Sequence, residues 1–288
     1  MSKRFVTLAW IAAACAYLLI ILGAVVRISG SGMGCGDHWP LCNGHLFPSL
    51  DDIPTVIEWS HRLVAAILSV LVVGLALYGW QLRGRGIGDE GRVRSAYVAV
   101  ALLVAQVLLG AITVKTGLTP AMVILHLATA MLLLAALITA ALPGERQLVP
   151  LALAFITVLF GALTANLGAM SSCGAFPLCN GQLIPTAGPL AWLQWIHRLL
   201  AYSLAAYLLW WVVRSPQRVW WVLGIVMLQI AIAATMIALG FPSALQAAHA
   251  AMGALAWAAI VVAAIKPATA PAAASSASPQ GQPHPGTR

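Results

Sequence analysis

Four of the seven histidines in this 288-residue chain fall into two matched pairs. His61 stands in E-W-S-H-R-L at Glu58–Leu63, and His197 stands in Q-W-I-H-R-L at Gln194–Leu199. His126 and His249 each lie near the start of an apolar run. A cysteine loop precedes each of the first two: C-G-D-H-W-P-L-C-N-G-H-L-F-P from Cys35 and C-G-A-F-P-L-C-N-G-Q-L-I-P from Cys173. Neutral imidazole is a transition-metal ligand. Cysteine pairs support either a disulfide or dithiol–disulfide exchange. Glu58, three residues before His61, would share its face on a helix and could move a proton there.

The elements that position these groups follow from composition. Hydrophobic residues make up 61% of the chain and charged residues 8%, against about 25% charged in soluble domains. Eight apolar runs are long enough to span a bilayer, near 5–26, 58–80, 95–115, 121–142, 149–170, 191–213, 219–239 and 245–265. Their length and their Gly, Ala and Leu content predict helices rather than barrel strands. The first run follows Lys3 and Arg4 but is too long for the core of a signal peptide, and it matches the fifth run, Gly23-Ala24 against Gly161-Ala162. It is read as a retained span. The net charge of +8 comes from residues in loops between apolar runs, so it signals topology and not nucleic-acid binding. With the N-terminus inside, the inner segments collect eleven basic residues and the outer side only Arg27, Arg62, Lys115 and Arg198. Both termini are then cytoplasmic, and both cysteine loops and all four histidines are near the outer face. The Pro, Ala and Ser-rich stretch 267–288, which contains His284, is read as a disordered cytoplasmic tail without a functional role.

The repeat predicts an all-α integral membrane protein, two tandem four-helix bundles at 1–145 and 146–266 related by a pseudo-two-fold axis along the membrane normal. In each half the second and fourth spans run in the same direction, each with a histidine near its outer end. At ~1.5 Å rise per residue the two imidazoles reach similar depth. Two such imidazoles on facing helices can bind one iron from opposite sides, which points to one haem site per half. Structural histidines hydrogen-bonded between helices are the plain alternative. Two repeated, depth-matched pairs of ionisable groups in a membrane argue against it. A zinc site would need more ligands than either pair provides.

The halves also differ. Glu58 becomes Gln194, Arg27 becomes Ala165, Lys115 becomes Ala238, and Asp37 and His38 have no polar counterpart. The first half therefore reads as the place where something is chemically changed, and the second as the holder of a permanent electron-transfer cofactor. Glu58 is the candidate catalytic residue; its plain role is a carboxylate favoured by a helix N-terminus. Arg62 and Arg198 either meet haem propionates or mark the headgroup boundary. Trp59 and Trp195 fit an interfacial aromatic belt. Cys35 with Cys42, and Cys173 with Cys179, are expected to form disulfides on the oxidising side, as loop staples or as a redox relay. Cys15, mid-span, is a packing residue.

The C-G-D-H-W-P-L-C-N-G loop, E-W-S-H-R-L, the later histidines and the eight-span duplication together resemble the haem A synthase family of cytochrome oxidase assembly enzymes, of the bacterial type with a cysteine pair in each half. The resemblance covers nearly the whole chain before the tail. It implies oxidation of the C8 methyl of haem O to the formyl of haem A by successive hydroxylations, with water as the favoured oxygen source. It implies that His61 and His126 hold the iron of the substrate haem O, that His197 and His249 hold haem b, and that Glu58 is essential. It further implies a bacterial inner-membrane location, supply of haem O by a membrane farnesyltransferase, contact with the cytochrome oxidase assembly machinery, and an electron acceptor that the sequence does not identify. The oligomeric state stays open, a homo-oligomer included. Two rival readings share the histidines: a di-haem b-type electron-transfer protein resembling quinol oxidoreductases, and a haem transporter.

Overall fold

A computed structural model describes residues 2–49 and 51–266; the expected tail at 267–288, with His284, lies outside the described residues. Among the described residues eight helices carry the structure: α1 Lys3–Ile28, α2 Ile53–Gly84, α3 Glu90–Lys115, α4 Pro120–Ala141, α5 Leu148–Asn166, α6 Pro189–Arg214, α7 Pro216–Ala238 and α8 Ser243–Ala264. All eight are long and apolar enough to cross a membrane. Large apolar side chains such as Leu18, Val70, Leu108 and Val213 point outward, as expected where the solvent is lipid rather than water.

The helix starts are set by local chemistry that hydropathy does not register. Asp52 caps α2 by accepting from the Thr55 backbone N–H at 3.0 Å, and Pro54 occupies the first turn. The helix thus begins at Ile53, before the expected 58, because a cap and a first-turn proline nucleate it ahead of the apolar stretch. Asp89 caps α3 in the same way through the Arg92 N–H at 2.9 Å. Proline also opens α4 and α6. The extension matters to the site, because it moves Glu58 beyond the first turn, which holds no acidic residue. A helix-dipole role for Glu58 falls away there, since that effect is confined to the terminal turn.

Each half closes on itself. In the first, α1 and α3 each pack on both α2 and α4; in the second, α5 and α7 each pack on both α6 and α8. The seam between the halves is made by α1 and α4 against α5 and α8. Leu133, Leu134, Leu137 and Ile138 of α4 and Ile260 of α8 are fully buried there, among Ala256, Ala259 and Ala263. Small residues let the helix backbones approach closely, the main source of helix association in lipid. Trp257 on α8 donates from Nε1 to the Met131 carbonyl on α4 at 2.8 Å, and Tyr17 on α1 donates to the Ala251 carbonyl on α8 at 3.3 Å. At one end a two-residue antiparallel pairing, β1 Glu145–Arg146 with β2 Ile265–Lys266, ties the link between the halves to the end of α8.

The two cysteine loops repeat each other in backbone detail. Trp39–Pro40 and Phe176–Pro177 are both cis, Asn43 and Asn180 both have positive φ, and Cys42–His45 and Cys179–Gln182 form the same isolated bridge. Both expected disulfides are formed, Cys35–Cys42 and Cys173–Cys179. Cys15 is a free, half-buried thiol packed against the core.

Candidate functional site

His61 is the ninth residue of α2 and His197 the ninth of α6; His126 is the seventh of α4 and His249 the seventh of α8. A two-residue offset is about 3 Å along a helix axis, so each pair lies at nearly one level. All four rings line one mostly apolar cavity of about 1140 Å³ that runs through both halves. Pockets for one drug-sized ligand fall at about 300–1,000 Å³, so this space exceeds that of a single small-molecule site.

Glycine makes room for three of the rings. A Cβ at Gly23 would stand 3.2 Å from His61 Cε1, one at Gly110 would stand 3.3 Å from His126 Cε1, and one at Gly161 would stand 2.9 Å from His197 Cε1. The neighbouring helix thus presents bare backbone to each imidazole. The corresponding position on α7 is Ala233.

The polar surroundings of the rings are incomplete. His197 Nδ1 lies 3.1 Å from the Thr157 carbonyl. His126 Nε2 lies 3.0 Å from Gln106 Nε2, and His249 Nε2 lies 3.3 Å from Gln229 Nε2. The Nδ1 atoms of His61, His126 and His249 are buried with no hydrogen-bond partner among the described residues. Buried polar atoms are paired in the great majority of cases. Four imidazoles around a large apolar cavity, three with orphaned nitrogens, fit a planar, apolar, metal-centred group far better than they fit a packed core. Gln106 and Gln229 escaped the sequence reading. Each stands twenty residues before its histidine, in Q-V-L-L-G-A and Q-I-A-I-A-A, and that shared spacing is the signal that marks them.

Glu58 is 4% exposed. Its Oε2 accepts from the Cys35 backbone N–H at 2.8 Å, and its Oε1 accepts from Arg62 Nη2 at 2.5 Å. Gln194 sits in the same place in the second half: its Oε1 accepts from the Cys173 N–H at 2.6 Å, while its Nε2 donates to the Met170 carbonyl at 2.8 Å. One latch therefore fastens each cysteine loop to its helix. It is anionic in the first half and neutral in the second.

The two arginines complete the latch. Arg62 Nη1 donates to the carbonyls of His38 at 2.7 Å and Leu41 at 2.6 Å. Arg198 donates from Nη1 to Ala175 at 2.5 Å and Leu178 at 2.9 Å, and from Nη2 to the Cys173 carbonyl at 2.6 Å. Both guanidinium groups are thus turned to loop carbonyls, a use that helix geometry at the sequence level did not suggest. Trp59 donates from Nε1 to the Leu46 carbonyl at 3.0 Å. Trp195 is no belt residue: it is 4% exposed and packs with Cys173 and Cys179, because the loop folds over it.

The remaining polar groups peculiar to the first half divide. Asp37, His38 and Lys115 gather at the surface, with Lys115 Nζ 3.8 Å and His38 Nδ1 3.6 Å from the Asp37 carboxylate. Arg27, half-buried in the last turn of α1, lines the cavity instead.

Comparison with known proteins agrees in kind. Residues 6–261 match the family model described as cytochrome oxidase assembly protein. The chain is similar to the heme A synthase of Alkalihalophilus pseudofirmus, 31% identical over 73% of this chain and 75% of that protein. It is also similar to the heme A synthase of Halalkalibacterium halodurans, 34% identical over 67% of this chain and 71% of that one. The heme A synthase of Shouchella clausii is 34% identical over 67% and 69% of the two chains. The chain belongs to the cytochrome oxidase assembly protein family.

Proposed function

We infer that this chain is a haem A synthase, a multi-pass membrane oxidoreductase that converts the C8 methyl group of haem O to a formyl group. The observation that carries the reading is the matched pair of latches. The same loop, helix position and backbone hydrogen bond hold a carboxylate at Glu58 and an amide at Gln194, within one cavity lined by four histidines. A haem transporter or a di-haem electron carrier needs no such difference.

In this reading residues 1–145 and 146–266 are two bundles related by a pseudo-two-fold axis. His61 and His126 hold the iron of the substrate haem O. His197 and His249 hold haem b, which supplies one-electron transfer when bound. With water as oxygen source, each hydroxylation of the methyl removes two electrons and releases two protons, and loss of water from the resulting gem-diol leaves the aldehyde. Glu58 has two jobs: it accepts a proton as the carbon–oxygen bond forms, and its charge stabilises positive charge developing on the oxidised methyl. Arg62 orients the carboxylate through its hydrogen bond to Oε1. The chain sits in the bacterial inner membrane with both termini cytoplasmic and the haem sites toward the outer face. It receives haem O from a farnesyltransferase and hands product to the oxidase assembly machinery.

The test is chromatography of haems extracted from membranes of a host that makes haem O but no haem A, with and without this chain. New haem A is the expected result. Unchanged haem O beside bound haem b, at good expression, would overturn the assignment in favour of electron transfer.

A further inference from the structure

Among the described residues the Arg27 guanidinium has no hydrogen bond and no ion pair, although the side chain is half-buried. The other basic groups toward this end of the molecule are engaged: Arg62 and Arg198 by loop carbonyls, Lys115 by Asp37. Arg27 lines the cavity. It follows Gly23 by four residues, hence shares its helix face one turn further along, and Gly23 is the residue whose backbone abuts the His61 ring. The Arg27 backbone therefore stands about 6 Å along the axis from Gly23, and its side chain borders the same cavity as the His61 ring. The second half has Ala165 at this position. A buried, unpaired cation is costly unless a counter-anion meets it. The plain alternatives are a favourable helix C-terminal charge or a lipid headgroup phosphate.

We propose that Arg27 binds a propionate carboxylate of the porphyrin in the first-half cavity and thereby sets which ring methyl faces Glu58. This rests on the reading of that cavity as the haem O site. Two axial imidazoles define the plane of the macrocycle but leave it free to rotate about the iron–nitrogen axis. Haem O carries more than one ring methyl, so oxidation of only one needs an anchor at the periphery. The C8 methyl shares its pyrrole ring with a propionate, which makes that carboxylate the most direct handle. Arg offers a planar, two-pronged donor set suited to it. A haem that is held but not chemically altered needs no choice among its methyl groups, which fits Ala165.

The test titrates purified full-length protein, wild type and Arg27→Ala, Arg27→Gln and Arg27→Lys, with haem O and with its dimethyl ester, following the Soret band. The wild type is expected to prefer the free acid by about tenfold or more, a single charged hydrogen bond's worth. Arg27→Ala and Arg27→Gln should bind acid and ester alike, and Arg27→Lys should keep part of the preference. The alanine variant should also form more than one oxidised-methyl isomer by chromatography. Retained haem b in each variant reports an intact fold. Equal acid-to-ester preference in wild type and Arg27→Ala would overturn the proposal and leave Arg27 to the helix terminus or a headgroup. If wild-type protein takes up neither form, the haem O site itself is misassigned, and the role of Arg27 falls with it.

Discussion

Glu58 and Gln194 occupy the same niche, hold the same loop and accept from the same backbone position, yet only the first carries a charge. Around Glu58 one donor to the acid is a guanidinium, Arg62, at 2.5 Å. Around Gln194 the corresponding Arg198 gives its donors to three carbonyls, and the amide finds its second bond at Met170. Structural need alone is therefore met by the amide. The carboxylate in the first half, with its half-buried counter-cation, is more than the latch requires, and the proposed chemistry accounts for it. If the proposed function holds, the two halves separate holding a cofactor from acting on a substrate.

The widest break in that comparison should come from the ligands. Replacing His61 or His126 with alanine is expected to end haem A formation while haem b is retained. Replacing His197 or His249 is expected to remove haem b. Loss of even an outer-shell partner typically weakens a metal site about 10–100-fold, so loss of a ligand should exceed a hundredfold or so. Haem extraction and reduced-minus-oxidised spectra of each variant decide it. If all four variants lost the same haem, the division of labour between halves would be wrong.

Glu58→Gln makes the first latch like the second. It should lower haem A formation by about 10²–10⁴ and leave thermal stability nearly unchanged, since the amide keeps the bond to the Cys35 N–H. Arg62→Ala, in contrast, leaves a buried carboxylate unpaired and should destabilise by about 3 kcal/mol or more. In the Glu58→Gln background that same change should cost much less. Thermal unfolding of the four proteins in detergent gives the cycle, and an equal Arg62→Ala penalty in both backgrounds would refute the ion pair.

The cysteine loops offer the smallest contrast. Their closed rings are nearly equal in size, with sequence separations of 7 and 6, so removing either disulfide should cost a similar ~2 kcal/mol. Activity should fall further for Cys35→Ser than for Cys173→Ser, because the Cys35 N–H anchors Glu58. Melting temperatures and haem A yields measured on the same preparations separate the two effects. A first-loop variant with full activity would show that the loop positions nothing in the reaction.

Much of the architecture was legible because lipid imposes simple rules. Eight apolar runs became eight helices, since each backbone polar group in a bilayer must pair within its own segment. The duplication was legible in the cysteine loops and the H-R-L frames, and the disulfide pairing followed from loop spacing. The boundaries were less so: α2 starts five residues before its apolar run because Asp52 and Pro54 decide the start, not hydropathy. The loop-carbonyl partners of Arg62 and Arg198 and the burial of Trp195 were not legible, for a common reason. Each depends on how a loop more than fifteen residues away folds back over the helix, and a side chain's own surroundings in sequence carry no record of that.

The sequence by itself determined the number of spans, the repeat, the four histidines at matched positions and the carboxylate, Glu58, that the repeat replaces with an amide. These are properties of single segments or of two segments compared, and they need no knowledge of contacts. Only the tertiary structure decided that one cavity reaches all four histidines, that Gly23, Gly110 and Gly161 open space beside three of the rings, and that, among the described residues, Arg62 and Arg198 have partners while Arg27 has none. Hydrogen-bond partners and cavities arise where distant segments meet. Their energies depend on ångström-scale distances that spacing along the chain does not encode.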